Sequence, residues 1–275
     1  MNVGSFVTRK SYKNDINFLL VDILGNNAVL TGLDYRLIAD APLSDLEYAN
    51  LRNEDNESEL FNEAYKEDLI TNWNKQQIVL KTNEAGTTIP SGIKCGTVLH
   101  IDGDPFYLKI CMSRYEKSGV SAVGVSVEES KQPAVLLDLL KQYKPNILVI
   151  TGHDSLKKKA DHSMNINDYR NSKYFVECVK IAREYNPNYD ELVIIAGGCK
   201  SHYEAIMKAG ANYASSPDRL FINITDPVYV ACKLANTSIK DIIDIDTITR
   251  DVFSGVRGIG GIETRGQCRE VKPVY

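Results

Sequence analysis

Past Gly96 the chain alternates between short, unbroken apolar runs and stretches whose apolar residues recur every three or four positions. The runs at 97–101, 121–127, 146–150, 192–196 and 211–215 predict strands, and the two central ones lack the alternation of a sheet with one wet face. Between them, 105–117 reads as a helix closed by Gly119, and Val135, Leu136, Leu139, Leu140 and Tyr143 keep helical spacing. Residues 167–185 carry Phe175, Val176, Val179 and Ala182 on one side, 201–208 ends at Gly210, and 228–236 reads as a last helix. Strands alternating with helices predict an α/β fold, a doubly wound and mainly parallel sheet flanked by helices over 93–275.

The first forty residues read differently. Short apolar segments at 6–8, 18–23, 28–30 and 35–39, with a Gly25-Asn26-Asn27 turn, predict a small SH3-like β-barrel over 1–43, used either for docking or for packing. Residues 44–92 are expected to be a helical connector and loop. Nine acids against two basic residues lie between Ser44 and Asp68, while Phe61, Tyr65, Leu69 and Trp73 recur every fourth position along one helical stripe. The Thr-, Gly- and Ser-rich segment 81–92 marks the boundary.

With 275 residues and 43% apolar content the chain can bury a full-sized core. Its net charge of −4 gives no electrostatic reason for nucleic acid or an anionic membrane as the main partner, so proteins are the expected partners. Residues 1–10 have no apolar stretch behind a basic start, and no apolar run approaches a membrane span. Cysteines 95, 111, 178, 199, 232 and 268 form neither a CxxC pair nor a dense disulfide frame, which predicts thiols in a reducing compartment.

Two central strands end in glycine plus one reactive residue. Residues 147–150 lead into Thr151-Gly152-His153-Asp154, and 192–196 lead into Gly197-Gly198-Cys199. Both endings fall on the carboxyl edge of one sheet, where open α/β folds bind ligands. Cys199, expected to begin a helix whose free N–H groups favour thiolate, is the candidate nucleophile, and His153 the candidate base. The N–H groups of Cys199 and Asp154 are candidate oxyanion donors, Gly198 leaves room for a substrate carbonyl, and His202 is a rival base or a supporting partner. The other five cysteines read as buried, inert thiols. Lys157-Lys158-Lys159 beside Asp161 and His162 reads as an exposed loop. No H-E-x-x-H, P-loop or dinucleotide motif is present, so neither metal nor cofactor is expected. Two alternatives stay open: a glutamine amidotransferase-like thiol hydrolase, and a non-enzymatic assembly scaffold.

Several segments carry a resemblance: Arg9-Lys10-Ser11-Tyr12, Arg36-Leu37-Ile38-Ala39-Asp40, Val98-Leu99-His100-Ile101-Asp102-Gly103-Asp104, Ile150-Thr151-Gly152-His153-Asp154, Ser201-His202, Ala209-Gly210-Ala211-Asn212, Ser215-Ser216-Pro217 and the stretch 260–266. With Cys199 they resemble the YabG family of sporulation-specific proteases of endospore-forming bacteria. That resemblance implies a cysteine peptidase made in the mother cell, later associated with the spore coat, that trims coat and related spore proteins, with cleavage at basic residues. A more distant likeness is to the caspase-like peptidases, whose histidine is typically followed by glycine; here Gly152 precedes His153. Cleavage at basic residues implies a carboxylate facing the substrate cation, for which Asp218 and Asp154 are candidates.

Overall fold

The computed structural model describes residues 1–50, 79–82, 93–157 and 164–271. The chain divides into two compact units, Met1–Lys75 and Gln76–Tyr275. Among the described residues no helix is long and apolar enough to cross a membrane.

The first unit holds β1 (Phe6–Arg9), β2 (Phe18–Leu24), β3 (Asn27–Gly32), β4 (Ile38–Pro42) and β5 (Leu46–Tyr48), an antiparallel sheet in the order β4-β3-β2-β1-β5. Leu24 pairs with Asn27 across a two-residue turn in which Gly25 takes φ +64°, a conformation a side chain would disfavour. Val7, Phe18, Leu20, Ala28, Leu30, Ala41 and Leu46 form its core. β5 extends this sheet beyond 43, into the segment expected to be connector. The acidic stripe of Phe61, Tyr65, Leu69 and Trp73 lies outside the described residues.

Among the described residues the second unit is built on seven strands in the order β14-β12-β11-β10-β8-β9-β6. Here β6 is Val79–Lys81, β7 (Ile93–Lys94) pairs elsewhere, β8 is Val98–Asp102, β9 Ala122–Ser126, β10 Ile147–Thr151, β11 Val193–Ala196 and β12 Tyr213–Ser215. β13 (Ile242–Ile243) pairs with β15 (Thr264–Arg265), β14 (Ile259–Gly261) lies on the sheet edge, and β16 (Arg269–Glu270) pairs with β7. β8 to β12 are mutually parallel, and β6 and β14 add antiparallel edges. This is the mostly parallel α/β sheet that the sequence pattern predicts.

Helices cover both faces. α1 (Pro105–Lys117), α2 (Gln132–Tyr143), α3 (Ser172–Tyr185), α4 (Tyr203–Lys208) and α5 (Asp226–Asn236) are followed by the short α6 (Ile245–Arg250) and α7 (Gly255–Gly258). Leu99, Ile101, Leu148, Ile150, Ile194 and Ala196 face one way, against Leu136 and Leu140 of α2, Phe175 and Val179 of α3 and Ile206 of α4. The alternate residues face α1 and α5. Every residue of β8, β10 and β11 is therefore buried, which explains the apolar, non-alternating runs of β10 and β11. The chain runs from β8 to β9 on one side and returns to β10 on the other, so the strand order reverses between β8 and β10. At such a reversal the carboxyl ends of the strands splay and leave a crevice.

Candidate active site

Ile150 pairs in register with Ala196 on adjacent parallel strands. His153 and Cys199 each stand three residues beyond that pair, so the two strand tips run side by side. A Cβ placed on Gly198 would lie 2.2 Å from the Gly152 carbonyl oxygen, the measure of how closely the tips approach. Only glycine fits this contact.

The two reactive side chains have different partners. His153 Nε2 lies 2.9 Å from Asp104 Oδ2 at the tip of β8, across the β8/β10 reversal, and its ring meets Tyr107 edge-on at 5.5 Å between centroids. The imidazole is 24% exposed, enough to meet a substrate, while Asp104 is nearly buried. The backbone N–H of His153 donates to Glu129 Oε1 at 2.6 Å. The Glu129 carboxylate is wedged between Gly103 and Gly152, where a Cβ would fall 2.1 and 2.4 Å from Oε1, and burial raises its pKa. Burial also opposes a charge on His153. The Asp104 hydrogen bond, with the fields of Asp104, Glu129 and Asp102, outweighs it and raises the imidazole pKa.

Cys199 is fully buried. Its thiol donates to the Ile222 carbonyl at 3.7 Å and accepts from the Ile222 N–H at 3.4 Å. The following residue, Lys200, has φ +58° and donates its N–H to Leu220 O at 3.0 Å. Cys199 thus lies in a loop pinned to 220–222 and does not begin a helix. α4 starts at Tyr203, because the left-handed turn at Lys200 interrupts any helix begun earlier. The expected thiolate stabilisation by a helix N-terminus is corrected accordingly; the donor on the sulfur is the Ile222 amide.

His202 is the cap of α4, accepting from Ala205 N–H at 3.4 Å, with Nε2 2.9 Å from the Met164 carbonyl and its ring against Tyr169. Asp154 is buried. Its Oδ1 accepts from the N–H groups of Ser155 and Asn171, both at 2.8 Å, and its Oδ2 from the Ser172 hydroxyl, whose oxygen in turn accepts the His202 N–H at 2.8 Å. Burial raises the Asp154 pKa against these bonds. Gly198 donates its N–H to Ser201 Oγ at 2.8 Å. Asp218, past the tip of β12, pairs with Arg257 at 2.7 Å on the surface. Residues 158–163, with most of the lysine run, Asp161 and His162, lie outside the described residues.

The sequence reading missed Asp104 and Glu129. Asp104 has a legible signal, an acid before Pro105 at a helix start, and it caps α1 by accepting the Phe106 N–H at 2.8 Å. Glu129 has none. Among the described residues His100, Asp102 and Cys111 bring three potential metal donors within 4.8 Å of one another. Those donors are committed to protein hydrogen bonds: His100 to Tyr115 and Thr151, Asp102 to Thr151 and the Asp104 N–H, and Cys111 to the Ile224 carbonyl. The group is a buried polar network.

A family model described as YabG peptidase U57 matches residues 2–273. The chain belongs to the YabG peptidase family. It is 40% identical over 284 residues to the sporulation-specific protease YabG of Bacillus subtilis (strain 168), covering 97% of this chain and 96% of that relative. No solved structure matches the chain. A YabG peptidase acts on proteins.

Proposed function

We propose that this YabG peptidase is a cysteine endopeptidase of sporulation that processes spore coat and related spore proteins, with Cys199 as nucleophile and His153 as general base. The observation that carries the reading is the side-by-side approach of the two strand tips at Gly152 and Gly198, with a base oriented on one and a thiol on the other. With Nε2–H donated to Asp104, the lone pair of the neutral His153 ring is on Nδ1.

In the proposed reaction the thiol proton passes to His153 and sulfur attacks the scissile carbonyl carbon. The C–N bond then breaks, the amine leaves with the His153 proton, and a thioester remains. Water, deprotonated by His153, attacks the thioester carbonyl carbon, the C–S bond breaks to release the acid product, and His153 returns the proton to sulfur. The N–H groups of Cys199 and Asp154 are the proposed oxyanion donors; that of Gly198 is held by Ser201. Attack requires the sulfur to leave Ile222, so the described arrangement is read as a resting form whose cap substrate displaces.

For cleavage at basic residues, Asp218 is the proposed acid of the specificity pocket, since its exposed partner Arg257 is itself a guanidinium that a substrate arginine can replace. Asp154 is a poor choice, because its oxygens are already committed inside the fold. The five parallel strands with Cys and His at adjacent tips support the caspase-like reading. The antiparallel N-terminal sheet supports an SH3-like docking module. We assign synthesis to the mother cell and eventual residence to the spore coat, as the family resemblance implies.

The test is cleavage of purified coat proteins by full-length protein and by Cys199→Ala and His153→Gln. Loss in both, with unchanged folding, supports the assignment. Full cleavage by Cys199→Ala removes it.

A further inference from the structure

The structure assigns to Asp104 the task of positioning His153, an inference that rests on the cysteine-peptidase reading above. Asp104 is itself held from two directions, with one carboxylate oxygen left over. Its Oδ1 caps α1 through the Phe106 N–H, its own N–H donates to Asp102 Oδ1 at 2.9 Å, and Oδ2 is left for His153. Asp102 is fixed in turn: its Oδ2 accepts the Thr151 hydroxyl at 2.7 Å, and Thr151 Oγ1 lies 2.7 Å from Nε2 of the buried His100, whose Nδ1 is 3.1 Å from the Tyr115 hydroxyl. The chain Tyr115–His100–Thr151–Asp102–Asp104–His153 thus runs from inside α1 to the crevice. Thr151 and Asp102 are the in-register pair that ends β10 and β8, so sheet pairing sets the separation of the His153 and Asp104 loops. A carboxylate on Nε2 leaves one tautomer of the neutral ring and stabilises the imidazolium formed when the thiol gives up its proton.

The groups facing His153 are Asp104 and Tyr107 of the α1 start, Glu129 after β9 and Asp102 at the end of β8. Among the described residues only Asp104 hydrogen-bonds the ring. Asparagine caps helices as well as aspartate does, so Asp104→Asn retains the α1 cap and removes the charge. The experiment follows the His153 ring by NMR as a function of pH in full-length Asp104→Asn, Asp104→Glu and wild type, with coat-protein cleavage measured alongside. Asp104→Asn is expected to lower the His153 midpoint and to reduce kcat on the order of 10²- to 10⁴-fold with little change in KM. Asp104→Glu should recover part of both. An unchanged His153 midpoint, or kcat within about twofold of wild type in Asp104→Asn, overturns the assignment. If Cys199→Ala still cleaves while Asp104→Asn shifts the midpoint, the nucleophile is wrong and the His153–Asp104 pairing stands.

A second inference is carried by a separate observation. We infer that Cys95 and Cys268 are a dithiol site that takes a disulfide. Their sulfurs are 3.6 Å apart, and both residues are partly exposed. Arg269 pairs with Lys94 and Glu270 with Ile93, so one further step of that antiparallel register sets Cys268 opposite Cys95. Cys268 turns its N–H and carbonyl the other way, to Thr237 O and Ile239 N, which makes Cys95–Cys268 a non-hydrogen-bonded pair, the closer-spaced kind. Burial and the neighbouring sulfur push the Cys268 thiol up to about 11. One thiolate of the pair attacks a low-molecular-weight disulfide and releases one small thiol. The other sulfur then displaces the second, so one disulfide is reduced as one forms. The bond closes most of the second unit into one loop.

Full-length protein incubated with oxidised glutathione, alkylated and digested without reduction should yield a 95–268 linked peptide ahead of any other. Its thermal midpoint should rise on the order of 5–10 °C. Cys95→Ser should abolish both changes. A linked-peptide map without 95–268, or a midpoint that rises equally in Cys95→Ser, overturns the site.

Discussion

Gly198 lies so close to Gly152 that a methyl group on the first would stand 2.2 Å from the carbonyl oxygen of the second. The obstacle is backbone, which cannot rotate away. Gly198→Ala is expected to push the Cys199 tip off the His153 tip and to cost about 1–3 kcal/mol through overpacking. Urea unfolding measures the stability loss and coat-protein cleavage the activity. Activity should fall much further than the unfolded fraction accounts for. Wild-type cleavage in a folded Gly198→Ala protein would show that the tips need not meet.

Asp154 joins the β10 tip to the start of α3. Asp154→Ala removes the acceptor of two part-buried amides and a buried hydroxyl, and should destabilise the fold by about 2–4 kcal/mol. Asp154→Asn keeps one acceptor oxygen and should lose less. Denaturant midpoints of the three proteins check the order; equal stabilities would mean that these bonds contribute nothing net.

The raised pKa of His153 makes stability depend on pH in a defined direction. The folded chain binds this proton more tightly than the unfolded chain, so unfolding releases it. The contribution is fully present below the unfolded value of about 6.5 and is lost as pH rises through the folded value. Urea midpoints taken across that interval should fall for wild type more than for His153→Gln. Parallel curves would place the proton elsewhere.

The Asp218–Arg257 pair is exposed on both sides, at 49% and 67%, and such pairs contribute less than about 1 kcal/mol. Removing it should leave stability almost unchanged and alter substrate affinity. Arg257→Ala is expected to lower KM for arginine-containing peptides, and Asp218→Ala to raise it, with kcat little affected. Identical KM values in wild type and Asp218→Ala would take Asp218 out of the pocket.

Much of the second unit is legible before folding. The helix at Pro105–Lys117 has the bounds that its proline and closing glycine predict, and the central strands fall within a residue or two of their apolar runs. β6 and β14 are not legible. Val79–Lys81 lies in a polar stretch, Ile259–Gly261 contains two glycines, and each becomes a strand only by pairing with β9 or β12. The left-handed turn at Lys200 is equally silent, since nothing in a lysine requires φ above zero; the backbone bond to Leu220 holds it there.

For the site, the sequence by itself placed His153 and Cys199 at the ends of two apolar strands, and the pairing of β10 with β11 made those strands neighbours. Burial on both faces imposes a composition that local reading detects, and glycines mark where the strands stop. What those side chains touch was decided only by tertiary structure. Asp104 reaches His153 from a helix cap 49 residues away in sequence, and Ile222 reaches the Cys199 sulfur across 23. Such partners depend on strand order and register, which are set when the whole sheet assembles, and no local pattern of apolar and polar positions encodes them.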